Sequence, residues 1–208
     1  MKVLLINGSP KAKGCTYTAL SEVASQLEKE NIETEIFQVG NKPIRGCIGC
    51  GGCKTKNKCV FNDDGVNEAI EKAKDCDGFI FGSPVHYAAA SGAITSFLDR
   101  FFYAYGGKFL SNKLGASIAS CRRSGATSTF DQLNKYFTIS NMHIVASQYW
   151  NNVHGNTPEE VKQDLEGMQT MRTLGRNMAW LLKSIQAGKD AGIEPPEKEI
   201  KMATNFIR

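Results

Sequence analysis

The sequence alternates between short apolar runs and longer stretches with the period of an α-helix, and this alternation restricts the fold more than any other feature. The runs at 2–7 and 78–82 are mainly apolar, as expected of strands buried on both faces. The stretch at 16–30 repeats its apolar residues every three or four positions, which indicates a helix. Such alternation predicts an α/β fold with helices on both faces of a parallel sheet. Five strands are expected, at 2–7, 34–39, 78–82, 115–120 and 143–149.

The same periodicity places helices between and after these strands. They are expected at 16–30, 64–74, 91–103, 127–137 and 157–187. The last helix has the clearest start signal, because Thr157 can act as N-cap, Pro158 fits the first helical position and Glu160 completes a capping box. Its period continues to about Ala187, and Gly188 is expected to end it.

The length and composition predict a single domain followed by a tail. A chain of 208 residues that is 41% apolar can bury one substantial core. We place this domain at 1–188, with a cysteine-rich loop at 46–60. The stretch 189–208 contains Pro195-Pro196 and lacks a helical period, so an extended tail is expected. Such a tail either frays in solvent or packs on a partner subunit, and the sequence leaves both alternatives open.

The charge and hydropathy of the chain argue against two classes of partner. A net charge of +4 suits an anionic small molecule, but no stripe of Lys and Arg is dense enough to indicate nucleic acid. The apolar run Val3–Ile6 is too short for the core of a signal peptide, and no later run reaches the length of a membrane helix. We therefore expect a cytoplasmic protein without a membrane partner.

The loop after the first strand has the character of a phosphate site. It follows a buried strand and opens onto a helix, whose first N–H groups lack partners within the helix. Hydroxyl groups at Ser9, Thr16 and Thr18 are available, and Lys11 or Lys13 adds positive charge. The loop matches neither the Walker A motif nor the GxGxxG dinucleotide motif. An ordinary turn with helix caps is the structural alternative.

The loops after two further strands are the expected walls of the same site, because ligands in such sheets collect at the carboxyl ends of the strands. In the loop that begins at Ser83, Pro84 fixes the backbone, while His86 and Tyr87 can lie against a flat ring system. Taken singly, each of these two side chains suits a packing or surface role. In the third loop Gly125 permits close approach, and Arg122 or Arg123 either meets a nucleotide phosphate or lies in a solvated turn.

The cysteines are the most unusual feature of the composition. Four of the seven occur within thirteen residues, in the pattern Cys47-x2-Cys50-x2-Cys53-x5-Cys59. In a reducing compartment such clustering indicates metal or redox chemistry and not disulfides. The other three fit small packing positions, although Cys15 lies near the proposed phosphate site.

Three interpretations of the cysteine motif remain open. Four thiolates suit a [4Fe–4S] cluster, and the glycines between them allow the close spacing to converge on one site. Four thiolates also bind zinc, although zinc sites usually show paired C-x2-C units. The third interpretation is that free thiols shape a pocket or an interface. The sequence favours the cluster, since Lys54, Lys56 and Lys58 would stabilise an anionic group.

Several of these motifs together resemble the NADPH-dependent FMN reductase branch of the flavodoxin-like superfamily, and within it the iron-sulfur flavoproteins. The likeness extends over nearly the whole chain. The motifs are Gly8-Ser9-Pro10, Gly82-Ser83-Pro84-Val85 followed by Tyr87, Ser96-Phe97-Leu98-Asp99-Arg100 and the ending Thr204-Asn205-Phe206-Ile207-Arg208. The resemblance implies a three-layer flavodoxin-like fold with a five-stranded parallel sheet, bound FMN, and association into homodimers or homotetramers.

The resemblance also implies roles for individual residues. It assigns the FMN phosphate to Ser9, Lys11, Thr16, Tyr17 and Thr18. It assigns the flavin ring to Pro84, Val85, His86 and Tyr87, the far edge of that ring to Gly125, and the metal to Cys47, Cys50, Cys53 and Cys59. His86 departs from the family pattern, in which Tyr or Asn is commoner. No catalytic side chain is assigned, because the flavin supplies the chemistry.

The function expected from these features is electron transfer through a flavin. NAD(P)H would donate electrons to FMN, which would pass them to a quinone, nitro or azo compound, or to an iron-sulfur cluster. A second hypothesis is a flavodoxin-like electron carrier that exchanges electrons with ferredoxin-type proteins. A third is a scaffold that binds no cofactor.

Overall fold

The computed structural model describes residues 1–197, 199–200 and 202–204, and it contains strands and helices that alternate along most of the chain. The strands are β1 (Lys2–Asn7), β2 (Glu33–Gln38), β3 (Gly78–His86), β4 (Ala89–Ala90), β5 (Leu114–Cys121), β6 (His143–Ile144) and β7 (Asn152–His154). The helices are α1 (Cys15–Lys29), α2 (Cys53–Lys56), α3 (Val66–Ala73), α4 (Gly92–Phe101), α5 (Gly107–Phe109), α6 (Ala126–Ile139), α7 (Pro158–Gln163) and α8 (Leu165–Asp190), with a π-helix at Phe102–Gly106.

The sheet has the strand order β2-β1-β3-β5-β6, and all neighbours along this path run parallel. When these five strands are numbered along the chain, the order is 2-1-3-4-5, which is one of the two common orders of doubly wound α/β sheets. The predicted α/β class is therefore confirmed. The strand count differs slightly from the prediction, because β4 and β7 are additional short strands.

Two apolar cores cover the two faces of the sheet, as the alternation of side chains along each strand requires. Along β1, Leu4 and Ile6 pack with α3, α4 and α6, whereas Val3 and Leu5 pack with α1 and α8. All four side chains are completely buried. The molecule thus has three layers, and the loops at the carboxyl edge of the sheet are held on a rigid support.

The fifth strand differs from the prediction of one continuous strand at 143–149. Both β6 and β7 pair with β5, but the chain leaves the ladder between them. The hydroxyl oxygen of Ser147 lies 2.6 Å from the Tyr149 carbonyl oxygen and 2.7 Å from the Asn151 side-chain oxygen, so its one hydrogen can be donated to either. Such local side-chain bonds compete with strand pairing, which explains the interruption.

The last predicted helix is also wrong in its extent. Thr157 caps α7 as expected, but this helix ends at Gln163, and Asp164 then caps the separate helix α8. The second helix continues through Gly188 to Asp190, because one glycine near an end costs only about 1 kcal/mol. The described residues from 193 to 204 lie outside helices and strands, and residues 198, 201 and 205–208 of the expected tail lie outside the described residues.

Within the described part of the chain, no helix has a stretch that is both long and apolar enough to cross a membrane.

Candidate functional site

Three loops meet at the carboxyl edge of the sheet and are joined by direct hydrogen bonds. The Gly8 amide, in the loop after β1, donates to the Gly82 carbonyl oxygen of β3 over 2.8 Å. The hydroxyl group of Ser91, which follows the hairpin of β3 and β4, donates to the Gly8 carbonyl oxygen over 2.9 Å. The first two loops therefore lie side by side at the edge of the sheet where ligands of such folds bind.

The side chain of Asn7 organises the first loop from inside. Its oxygen accepts a hydrogen bond from the Ser9 amide over 3.1 Å, and its nitrogen donates to the Ala12 carbonyl oxygen over 3.3 Å. Gln38, at the end of β2, donates to the Ser9 carbonyl oxygen over 2.6 Å. The Ser9 hydroxyl accepts from the Lys11 amide over 3.2 Å. These bonds within the protein hold the loop in its shape.

The head of α1 is free to receive an anion. Gly14 occupies the N-cap position, none of the described side chains caps the helix, and the first turn contains no acidic residue. Its first N–H groups and the positive end of the helix dipole therefore remain available. The Thr16 hydroxyl oxygen is buried and has no hydrogen-bond partner among the described residues. Both features fit a phosphate group.

The other residues predicted for the phosphate lie around this centre. Lys11 is exposed, and its carbonyl oxygen accepts a hydrogen bond from the Gly14 amide over 3.3 Å. Thr18 donates its hydroxyl hydrogen to the Gly14 carbonyl oxygen over 3.2 Å. Thr18 and Tyr17 line a groove between α1 and α7, together with Lys13 and Pro158. Ser9 and Lys11 therefore lie in the loop, and Thr16 lies in the first turn of α1. Tyr17 and Thr18 lie in the same turn but line the groove towards α7.

The residues predicted for the flavin ring form a short hairpin. Val85 pairs with Ala90, His86 pairs with Ala89, and the two turn residues both have positive φ angles, 51° at Tyr87 and 58° at Ala88. A pair of left-handed residues is typical of a type I′ turn, which matches the twist of the two strands. Val85 is half-buried, as is Pro84, whereas His86 and Tyr87 are exposed. The Tyr87 ring is therefore accessible to a ligand or a partner.

The third loop packs directly on this hairpin, at Gly125. The φ angle of Gly125 is +88°, and a Cβ atom there would lie 2.7 Å from the Ala88 Cα atom and 2.9 Å from a Val85 methyl carbon. Gln132 of α6 accepts a hydrogen bond from the Ala90 amide over 2.9 Å. Glycine is therefore strongly favoured at 125, where it lies close to Val85 and Ala88.

The four clustered cysteines line one pocket between the cysteine-rich loop and α4. The same pocket is lined by Phe61, Arg100 and Tyr103. All seven cysteines lie in the described part of the chain and are free. No three His, Cys, Asp or Glu side chains of the described residues are arranged as they would be around a bound metal ion. The donor set fits a thiolate-bound metal group in its chemistry, because all four cysteines line this one pocket.

Half of this loop is anchored to the core. The Asn67 side chain accepts a hydrogen bond from the Cys59 amide over 2.8 Å and donates to the carbonyl oxygens of Cys59 and Phe61 over 3.0 Å each. The Cys53 thiol donates to the Tyr103 carbonyl oxygen of the π-helix over 3.8 Å. Burial raises the pKa of the Cys53 thiol, and the nearby cysteines raise it further. Metal binding there would therefore release a proton.

The other half of the loop is more exposed to solvent. Cys47 and Cys50 are exposed. Gly49 and Gly51 have φ angles of +66° and +71°, and no atom of the described residues lies within 4 Å of a Cβ built on either. By contrast, Gly52 packs on Val60, since a Cβ there would lie 2.5 Å from a methyl carbon. The two exposed cysteines therefore lie beside glycines that have open space around them.

Sequence reasoning missed the polar residues that hold these loops. Asn7 and Gln38 shape the first loop, and Arg100, Asp64 and Asn67 fix the cysteine-rich loop. One signal was present, because Arg100 stands within the apolar stripe of a predicted helix, where a charge is costly to bury without a partner. The long sequence separation of the partners hides the rest.

The parallel sheet of order 2-1-3-4-5, with three loops converging at its carboxyl edge, defines a flavodoxin-like α/β protein. Solved structures agree: one of a flavodoxin from the domain Archaea covers 88% of this chain and 99% of its own, with 14% identity and a TM-score of 0.58. The structure of the NAD(P)H:quinone oxidoreductase of Methanothermobacter marburgensis covers 86% of this chain and 96% of its own, with 16% identity and a TM-score of 0.66.

The sequence comparisons define the family. The family model of NADPH-dependent FMN reductases matches residues 1–157, and the chain belongs to this family of flavin-dependent oxidoreductases. An iron-sulfur flavoprotein of Methanocaldococcus jannaschii is 35% identical over 193 residues, which are 89% of this chain and all of that protein. The resemblance inferred from the motifs is confirmed.

Proposed function

We propose that the chain binds FMN at the joined loops and transfers electrons from NAD(P)H to a small acceptor, such as a quinone, nitro or azo compound. The observation that carries this proposal is the free head of α1, where the Thr16 hydroxyl is buried without a partner among the described residues. Membership of the FMN reductase family supports it. Ser9, Lys11, Tyr17 and Thr18 would complete the phosphate site.

The ring of FMN would lie against the hairpin and the third loop. Pro84, Val85 and His86 would support it from the hairpin, with Tyr87 at the tip and Gly125 at the far edge. Bound FMN supplies hydride and single-electron chemistry. The protein would orient the ring, expose one side to the nicotinamide and exclude water from the other. No side-chain acid or base is required.

We further propose that Cys47, Cys50, Cys53 and Cys59 hold a [4Fe–4S] cluster, which would accept electrons from the flavin. Two observations support this: the four side chains line one pocket, and relatives that match 89% and 91% of the chain carry the name iron-sulfur flavoprotein. Exposed Lys54, Lys56 and Lys58 add positive charge around an anionic cluster.

Substitution of Thr16 tests the flavin site. Thr16→Val keeps the shape of the side chain and removes the hydroxyl, so the apoprotein should fold with unchanged or slightly higher stability. FMN affinity should fall about 10–100-fold, in line with the loss of about 1.5–3 kcal/mol for a hydrogen bond to a charged group. Titration followed by quenching of FMN fluorescence measures this.

Thr129→Val is the matched control for this titration. Thr129 is completely buried in α6, and its hydroxyl likewise lacks a partner within the described residues, but it lies outside the loops of the proposed site. FMN affinity should therefore stay at the parent value. Equal affinity in the parent and Thr16→Val, or absence of FMN binding by the parent, would refute the proposed site.

Anaerobic absorption spectra with iron and acid-labile sulfide analysis test the cluster. The proposal expects about four irons and four sulfides per chain, with a broad absorption beside the flavin bands. Flavin bands without iron would leave a simple reductase, and zinc in place of iron would make the motif a structural metal site.

An electron carrier is the second candidate function. The exposed cysteines Cys47 and Cys50 and the surrounding lysines favour docking of an acidic protein such as a ferredoxin. Steady-state oxidation of NAD(P)H with FMN and an added quinone supports the enzyme. Negligible turnover together with rapid reduction by reduced ferredoxin supports the carrier.

The remaining parts of the proposal concern assembly and location. Tyr87, Tyr149 and Trp150 are exposed, and aromatic residues are common where proteins associate. Homodimers or homotetramers, with the stretch 189–208 as an arm, would cover such residues. Sedimentation of the full chain measures the assembly. The free thiols suit the cytoplasm, where disulfides are rare.

A further inference from the structure

We propose that Arg100 is a positioning residue for the metal site, which holds the Cys59 sulfur atom and raises the reduction potential of the group bound there. This inference rests on the proposed metal-binding role of the four cysteines. It adds a specific contact between Arg100 of α4 and the sulfur atom of Cys59. The proposal therefore gives Cys59 a different environment from the other three cysteines.

The geometry of Arg100 points to this role. Its side chain projects from α4 into the cysteine-rich loop and is almost completely buried, with a relative exposure of 2%. The Nε atom donates a hydrogen bond to the Cys59 Sγ atom over 3.2 Å. The Nη1 and Nη2 atoms donate to the carbonyl oxygens of Arg45 and Phe61, also over 3.2 Å. One side chain thus contacts the residue before the loop, the last cysteine within it and the residue after it.

A buried carboxylate compensates the charge of this guanidinium group. Asp64 forms an ion pair with Arg100, and both side chains are nearly inaccessible to solvent. The other oxygen of Asp64 accepts a hydrogen bond from the Val66 amide over 3.2 Å, which fixes the carboxylate at the start of α3. The guanidinium group of arginine stays charged in proteins, so the buried carboxylate keeps an oppositely charged partner. The pair is therefore held between two helices.

The effect on a bound metal group follows because Arg100 is the donor and the Cys59 sulfur atom is the acceptor of this hydrogen bond. An N–H donor draws electron density from a thiolate ligand, and hydrogen bonds to the sulfur atoms help to set the potentials of iron-sulfur clusters. Groups that orient metal ligands through hydrogen bonds also affect affinity, typically by 10–100-fold. Arg100 would therefore fix the position of Cys59 as a metal ligand.

The test compares Arg100→Lys with Arg45→Lys. Lysine keeps the positive charge beside Asp64 but lacks the forked donors, so it cannot satisfy the carboxylate, two carbonyl groups and the sulfur atom together. Arg45 is the control, because its guanidinium carbon lies 4.5 Å from the centre of the Phe61 ring and its side chain is half-exposed. No hydrogen bond from the Arg45 side chain to a cysteine occurs among the described residues.

The first measurement is the reduction potential of the cluster in anaerobically reconstituted protein, with the bound flavin as internal reference. The proposal expects a more negative cluster potential in Arg100→Lys, with the flavin potential unchanged, and parent values in Arg45→Lys. An unchanged cluster potential in Arg100→Lys would overturn the proposal. A parent chain that takes up no iron contradicts the proposed cluster and leaves the positioning role to the next measurement.

The second measurement uses Co2+ as probe of the reduced, cluster-free chain, because cobalt bound to thiolates absorbs strongly. We expect Arg100→Lys to bind Co2+ about 10–100-fold more weakly than the parent, and Arg45→Lys to bind it equally well. Equal affinity in all three proteins would overturn the positioning role, whether or not the chain holds iron.

A third measurement avoids substitution altogether and covers the case in which Arg100→Lys does not fold. Arginine labelled with nitrogen-15 in its side chain is incorporated into the parent protein, and the reduced cluster is studied by pulsed electron paramagnetic resonance. The proposal expects a coupling between the cluster spin and the nitrogen-15 nucleus. A spectrum without this coupling would exclude a hydrogen bond from Arg100 to a ligand sulfur atom.

Discussion

At the scale of single residues, the site depends on three positions: a buried hydroxyl without a hydrogen-bond partner in the described chain, a glycine in a left-handed conformation and a buried charge. Thr16 holds a buried hydroxyl without a partner in the described chain, and Gly125 lies in a conformation that other residues avoid. Arg100 places a charge in the apolar interior and directs one of its donors at a sulfur atom. Each position costs stability, and each lies beside a proposed ligand.

Gly125→Ala should lower the free energy of unfolding by about 2–3 kcal/mol. A left-handed alanine costs about 1–2 kcal/mol, and its Cβ atom would lie 2.7 Å from the Ala88 backbone. Urea unfolding measures the change. Gly92→Ala is the control: Gly92 begins α4, and a Cβ there meets no described atom within 4 Å, so stability should stay equal or rise. Equal stability of Gly125→Ala and the parent would contradict this account.

At the scale of elements, the hairpin of β3 and β4 shows how tertiary contacts impose an unfavourable local conformation. Neither Tyr87 nor Ala88 favours the left-handed region that a type I′ turn requires. The turn is held from outside, because Ser128 donates a hydrogen bond to the Ala88 carbonyl oxygen and Gln132 accepts one from the Ala90 amide. The helix α6 therefore shapes a loop that the sequence itself would not form.

Ala88→Gly should raise the free energy of unfolding by up to about 1 kcal/mol, because glycine adopts the left-handed conformation without the steric cost of alanine. The gain is smaller than that full cost, since glycine also makes the unfolded chain more flexible. Ala187→Gly, at an exposed helical position in α8, should instead lower stability by about 0.5–1 kcal/mol. Urea unfolding compares both variants, and destabilisation by Ala88→Gly would show that the turn is not strained.

At the scale of the whole molecule, the two cores on either side of the sheet determine how the protein responds to alkaline pH. Cys76 lies in the core next to α3 with 1% exposure, and its thiol donates a hydrogen bond to the Lys72 carbonyl oxygen over 3.2 Å. Burial raises the pKa of Cys76 to about 11. Burial also raises the pKa values of Cys15 and Cys121. These thiols remain protonated in the folded protein where an unfolded chain would lose the protons.

The stability should therefore fall as the pH rises from about 8.5, the usual pKa of a free cysteine, towards 11. In this window the unfolded chain binds fewer protons than the folded chain, so the free energy of unfolding decreases with pH. Cys76→Ala should reduce the loss between pH 8 and about pH 10.5 by about 1–2 kcal/mol.

Urea unfolding with a reductant and a chelator at the two pH values measures this difference. Cys50→Ala, which removes an exposed thiol, should keep the dependence of the parent. A Cys76→Ala protein with the same loss as the parent would contradict the assigned role of burial.

The elements that the sequence predicted well are those whose signals lie within one segment. Helix α1 begins one residue before its predicted start at 16, and β1 matches its predicted range, because periodicity and a buried run are local patterns. The fifth strand and the last helix were wrong in extent. In the fifth strand, the Ser147 hydroxyl bonds to the backbone of Tyr149, and in the last helix, the Asp164 carboxylate accepts from the Gly167 amide. Both local bonds change the path of the chain.

The candidate site divides in the same way. Its loops and cysteines could be identified from their position and spacing. The polar side chains that hold these loops in place could not be identified in this way. Asn67 holds Cys59 from eight positions away, and Arg100 reaches it from 41 positions away. Such contacts depend on how α3 and α4 pack on the sheet, which no local pattern records.

The sequence by itself determined the α/β class, the order of most elements, the family and the residues with the chemistry for a phosphate, a flat ring and a metal. Only the tertiary structure decided which of these residues meet, which half of the cysteine-rich loop is anchored, and that a buried arginine contacts a sulfur atom. The physical reason is that periodicity and capping act over a few residues, whereas burial and hydrogen bonding of polar groups in the core join residues far apart in the chain.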